Sequence, residues 1–145
     1  METKTEVFGG FKQTASTAVT RLVDKITVTA AKQFNLPSAM YKKNGLYKFK
    51  AARLYYNKAE RKVGIEFIAE QEEGSFKLIQ SGEEAKYGAY IVAKNFFFMN
   101  DLKPPKKAKR YDYQKISLKS LGAARGGTMF VIDLKKKVGE DEEGR

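Results

Sequence analysis

Between Gly45 and Ala69 the chain interleaves cations with aromatic rings, and that mixture suits one chemistry above others: phosphates held by lysine and arginine while nucleobases stack on tyrosine. From Lys42 to Lys62 there are eight basic residues against Glu60 alone. From Lys103 to Lys119 there are seven against Asp112, and between the two blocks Glu66 to Glu84 carries six glutamates against Lys77. Lys42, Lys43, Lys48, Lys50, Arg53, Lys106, Lys107, Lys109 and Arg110 are the expected phosphate contacts. Tyr47, Tyr55, Tyr56, Tyr111 and Tyr113 are the expected stacking rings, at roughly 1–3 kcal/mol per stacked base. One face of any strand must also serve the core, so about half of these rings are expected to be structural.

Two other patterns carry chemistry. Gly122-Ala123-Ala124-Arg125-Gly126-Gly127 places one guanidinium among small residues, where backbone amides can form an anion-binding concavity. It lacks the lysine and hydroxyl spacing of a phosphate-binding loop, so nucleotide hydrolysis does not follow. Asp112 together with Asp133-Leu134-Lys135 resembles the spacing of restriction-type nucleases, which place two acidic groups and a lysine around magnesium, with Glu66 as a possible third ligand. The helix and strand that follow the lysine in that family have no room here, and an Asp-x-Lys triplet arises easily in a lysine-rich chain. The expectation is a binding protein, not an enzyme, with no cofactor and no metal.

Composition narrows the field further. The 145 residues include no cysteine and no histidine, which removes disulfides, thiolate chemistry and the commonest general base and transition-metal ligand. The net charge is +11. A field of that sign concentrates polyanions, so nucleic acid is the expected partner, single-stranded DNA or RNA before duplex. The acidic tail at 139–145 would compete for the same basic face. No segment approaches the ~20 apolar residues of a membrane helix, and the expected location is the cytoplasm, nucleoid-associated or in a host cell.

The elements that must position these residues read as strands with two short helices. Residues 1–16 read as a mobile arm and 17–138 as one binding domain. Thr17–Ala30 has strand spacing, and Pro37, Lys42, Lys43 and Gly45 punctuate a short helix. A long hairpin follows, with Tyr47, Phe49, Ala51, Arg53 and Tyr55 on one face of its first strand. In its second strand Val63, Ile65 and Phe67 face the core while Glu66 points away. Ser75–Gln80 and Tyr87–Lys94 read as strands, Asn95–Leu102 as a helix capped by Asn95, and Tyr111–Leu118 and Met129–Leu134 as the last strands.

Two short matches suggest an internal repeat over 26–70 and 88–135: 30–34 with 92–96, and 63–67 with 130–134. The expected fold is α+β, a twisted antiparallel sheet of about seven strands with two short helices, possibly two strand-helix-strand-strand halves about an approximate two-fold. In general plan it is similar to small β-rich single-strand-binding modules and to duplicated strand-helix-strand DNA-binding folds. A homodimer or higher homo-oligomer is expected, because sheet edges left open by such short helices tend to pair. The expected function is sequence-tolerant binding of single strands. A duplex-DNA regulator using a β-ribbon, or a virion assembly protein, is the alternative, and a magnesium-dependent nuclease the remote one.

Overall fold

A computed structural model describes residues 23–136, together with the backbone of a two-residue strand pair, β1 (Val7–Phe8) and β2 (Phe11–Lys12). The remainder of the arm at 1–16 and the acidic tail lie outside the described residues. The other strands are β3 (Ile26–Val28), β4 (Gln33–Leu36), β5 (Ala51–Asn57), β6 (Lys62–Ile68), β7 (Phe76–Lys77), β8 (Ile79–Gln80), β9 (Ala89–Val92), β10 (Lys109–Tyr111), β11 (Tyr113–Ser117) and β12 (Thr128–Asp133). The helices are α1 (Ser38–Lys43) and α2 (Lys94–Met99).

These strands form two five-stranded antiparallel sheets, β10-β3-β4-β9-β8 and β11-β12-β6-β5-β7, where the sequence suggested one sheet of seven. The difference comes from two bent strands. The run 76–80 breaks at Leu78, giving β7 to one sheet and β8 to the other, and the Leu78 amide still bonds the Lys50 carbonyl at 3.0 Å. The run 109–117 breaks in the same way at Asp112. Each sheet therefore ends, on both sides, in half of a strand that continues into the other sheet. Alternation in sequence reports which face a residue takes, not which sheet its strand joins. The sheet edges from which oligomerisation was expected are the flanks of these bent strands.

Local chemistry explains the elements. Pro37 occupies the N-cap of α1, and Gly45 beyond its end has φ +62°. The chain then makes a 3-10 turn at Leu46–Lys48, so the hairpin strand begins at Ala51 and Tyr47 is not on it. β4 had no separate sequence signal; its inward residues Phe34 and Leu36 are fully buried. In α2 the N-cap position falls on Ala93, not Asn95, because Phe96 and Phe97 must both turn inward. Phe96 sits among Phe34, Phe97, Tyr56 and Phe76 with centroids 6.1–6.5 Å apart in edge-to-face pairs.

β4 and α1 recur 56 residues later as β9 and α2 (33 to 89, 38 to 94). Asn44 and Asn100 each donate a side-chain amide to the carbonyl four residues back, at 2.8 and 2.9 Å. β4 pairs with β9, and β6 with β12 through Val63↔Ile132 and Ile65↔Phe130, the register a two-fold through Gly64 and Val131 requires. The match of 63–67 with 130–134 falls on these two paired strands. The match of 30–34 with 92–96 falls on unlike elements: Ala30–Lys32 precede β4, whereas Lys94–Phe96 open α2.

Gly88 holds the β4–α1 junction. It has φ +88°, and a Cβ there would lie 2.1 Å from the Leu36 carbonyl oxygen. Gly88→Ala is expected to destabilise by about 2 kcal/mol through strain and clash. Urea unfolding followed by far-UV circular dichroism measures it.

Candidate nucleic-acid interface

A cleft of about 620 Å³ opens between the two sheets, within the roughly 300–1,000 Å³ of small-molecule sites. Val28, Phe34 and Tyr111 wall it from one sheet and Tyr56 and Val63 from the other. Arg61, Lys103, Lys109 and Lys135 stand around it, with Asp101 the sole acidic residue in the lining. Each cation arrives on a fixed piece of backbone. Arg61 takes φ +55° in the β5–β6 turn, and its carbonyl accepts the Leu134 amide at 3.0 Å, tying the turn to the end of β12. Lys103 follows the end of α2, where Asp101 has φ +53° and the Leu102 amide bonds the Phe97 carbonyl at 2.8 Å. Lys109 and Tyr111 share a face of β10, leaving Arg110 on the other. Lys135 is placed by its amide bonding the Asp133 carboxylate at 2.9 Å.

Arg61, Lys103 and Lys135 make no ion pair among the described residues. Unpaired cations converging on a cleft walled partly by apolar groups raise the local concentration of anions. The ends of the two basic blocks meet here: Arg61 from the first, Lys103 and Lys109 from the second. Lys106 and Lys107 are exposed in the loop beside Pro105 of the same wall.

The other expected contacts are distributed differently. Tyr111 is 5 % exposed and belongs to the core; its ring has no face to offer a base. Tyr56 is half-buried against Phe96. Tyr113 packs on Phe130 and donates its hydroxyl to Asp24 at 2.5 Å while accepting from Asn44 at 2.9 Å. Among the stacking candidates only Tyr47 is largely exposed, at 70 %. Lys42, Lys43, Lys48 and Lys50 are exposed, but Lys43 pairs with Asp24 at 2.5 Å and Lys50 lies 3.9 Å from Glu70. Burial alone would raise the Asp24 pKa, but the bonds from Lys43 and Tyr113 outweigh it and lower it.

Arg53, Tyr55 and Arg125 are drawn together by Glu66. As expected Glu66 lies on the face opposite Val63, Ile65 and Phe67, yet it does not reach solvent: it is 6 % exposed. Arg53 donates to it at 2.9 Å, Tyr55 at 2.7 Å, and Arg125 twice, at 3.2 and 2.8 Å. Arg53 also forms two bonds to Glu72, at 2.6 and 2.8 Å. These groups satisfy one another and are structural in this conformation, because burying a carboxylate requires such donors. A carboxylate so occupied also has little left for the magnesium ligation considered above. Asp112, the other acid in that pattern, pairs with Lys25 at 2.7 Å.

Burial alone would raise the Glu66 pKa, but the bonds from Arg125, Tyr55 and Arg53 overcome it and bring it to about 2. The folded pKa lies below the ordinary 4.5, so the carboxylate's contribution is fully present above pH 4.5 and is lost as pH falls toward 2. Stability is expected to drop across that window by on the order of 2 kcal/mol more than in Glu66→Gln. Urea midpoints at pH 6, 4 and 3 give the comparison.

The two-fold places a second cavity, of about 350 Å³, opposite the first. The end of α1 at Asn44 stands where the end of α2 stands in the first cleft. Thr128, Phe130 and Phe67 replace the start of β6 and the end of β12, and Lys115 of β11 takes the place of Tyr56 of β5. Lys48 and Lys115 are its cations. No protein family, curated protein or solved structure shows a significant match to the chain. Arg61 and Lys103 were counted in the basic blocks but not singled out, and Lys135 was read only as part of the acidic pattern. Arg61 precedes β6, Lys135 follows β12 and Lys103 follows α2, so no shared local pattern marked them.

Proposed function

We propose that the protein binds nucleic acid without catalysis, holding the backbone of a single strand of DNA or RNA in the first cleft with little regard to base order. The observation that carries this reading is the convergence of Arg61, Lys103, Lys109 and Lys135 on one cleft from four separate loops and strands. Lys106 and Lys107 extend the positive path along the rim. Phosphate contacts of this kind position a strand without reading its sequence. An unpaired strand can turn its bases toward the walls, where Pro105 and the half-buried ring of Tyr56 offer apolar surface. Phe98, 78 % exposed on the last turn of α2, offers a further platform.

Fluorescence anisotropy with labelled single-stranded and duplex oligonucleotides at several salt concentrations tests the proposal. Single strands are expected to bind more tightly, with a log-log salt slope of about −3, from four phosphates at roughly −0.7 each. Failure of both ligands to bind at low salt would overturn it.

A further inference from the structure

We propose that the loop joining β8 to β9 docks in the first cleft of a second copy, so that the chain associates with itself head to tail. The two hairpins of this sheet are closed differently. β3 and β4 are joined by four residues, 29–32, whereas β8 and β9 are joined by eight, 81–88. The longer loop is held in one shape by five backbone hydrogen bonds of 2.9–3.3 Å, from the amides of Ser81, Ala85, Lys86, Tyr87 and Gly88. Ala85, 2 % exposed, pins its middle to the core. Glu84 and Ala85 nevertheless take φ +52° and +57° in succession, the left-handed region that side chains avoid. Backbone held there by the surrounding structure is a mark of functional segments.

The loop displays a ring and two acids. Tyr87 is 65 % exposed, yet its ring is held in place. It lies over Gly82, where a Cβ would come within 2.7 Å of it, and Lys86 Nζ sits 5.6 Å from its centroid. A ring fixed in advance loses little freedom on docking. Glu83 and Glu84 are exposed and form no ion pair among the described residues. The first cleft has the complementary character: apolar walls, with Arg61, Lys103 and Lys135 unpaired around them. Position completes the match. In the strand order β10-β3-β4-β9-β8, residues of β10, β3 and β4 line the cleft, while the loop closes β9 onto β8 at the other edge. Neighbouring strands lie about 4.8 Å apart, so the width of the sheet separates the loop from the β10 wall. The two surfaces therefore meet between copies, in a head-to-tail contact.

The inference rests on the same affinity of the cleft for anions as strand binding does, and the experiment keeps the two apart. Sedimentation velocity of the full chain without nucleic acid is expected to show concentration-dependent association at low salt that is lost at high salt. Glu83→Lys with Glu84→Lys is expected to weaken association about 10-fold, and so is Arg61→Glu with Lys103→Glu. Mixing the two double variants is expected to restore it, because the reversed loop of one then faces the reversed cleft of the other. The loop variant is also expected to bind a labelled single strand at least as tightly as the unaltered chain. A monomer at every concentration at low salt would overturn the inference. So would association that survives the loop substitutions, or that fails to return on mixing. Any of these with strand binding intact leaves the proposed function standing. Association that follows the charge reversals in a chain that binds no strand would remove the proposed function alone.

Discussion

Glu66→Ala is expected to lower the unfolding free energy by about 3 kcal/mol, the range for removing one partner of a buried, multiply bonded charge pair. The substitution leaves Arg53 and Arg125 facing each other across the site their shared carboxylate filled. It also strips the Tyr55 hydroxyl of its acceptor and leaves Arg125, which anchors the Gly122–Gly127 loop, only its 3.1 Å bond to that hydroxyl. Arg53 retains Glu72, and Arg125 is half exposed, so water recovers part of the loss. Glu66→Gln is expected to cost less, because the amide oxygen still accepts from one guanidinium. Urea unfolding at pH 7 separates the two; a change below about 0.5 kcal/mol for the alanine variant would place the network with ordinary surface pairs.

Reversing the charges that face the first cleft is expected to have the largest effect on binding. Arg61→Glu with Lys103→Glu replaces two exposed cations of the lining by anions, removing two phosphate contacts and adding repulsion. Affinity for a single strand at low salt is expected to fall by on the order of 100-fold, and the salt slope to flatten from about −3 toward −1.5. Both side chains are exposed and neither makes an ion pair among the described residues, so stability should change by less than about 0.5 kcal/mol. Lys94→Glu with Lys119→Glu changes the net charge equally at exposed positions that line neither cleft. It is expected to weaken binding only a few-fold through the overall field. Equal losses in the two double variants would mean that charge acts without location.

The parts of this fold legible in the sequence were those set by periodicity and punctuation. Val63, Ile65 and Phe67 alternate into the core as their spacing demands, and Pro37 and Gly45 bracket α1. The bends at Leu78 and Asp112 were not legible, because a strand that changes sheet keeps the same alternation on both sides of the bend. That is why two sheets read as one. The candidate site was legible as a charge distribution and not as a place. Glu66 shows the reason: its position on the strand is correct, but its partners Arg53, Tyr55 and Arg125 lie 13, 11 and 59 residues away. Three residues expected at phosphates or bases instead bury one carboxylate. Arg61, Lys103 and Lys135 had no local mark, since a turn residue, a post-helix residue and a post-strand residue become neighbours only when both halves of the repeat have folded together.

The central claim is that a nucleic-acid strand lies in the first cleft. Photo-crosslinking the full chain to a 4-thiothymidine-containing single strand, with the adducts located by mass spectrometry, tests it most directly. Adducts are expected on Tyr56, Lys103, Pro105 and Lys109, and are expected to disappear in the Arg61→Glu, Lys103→Glu protein. Adducts on Lys42, Lys43 and Lys50, none of which lines the cleft, that persist in that variant would contradict the claim and move the strand elsewhere.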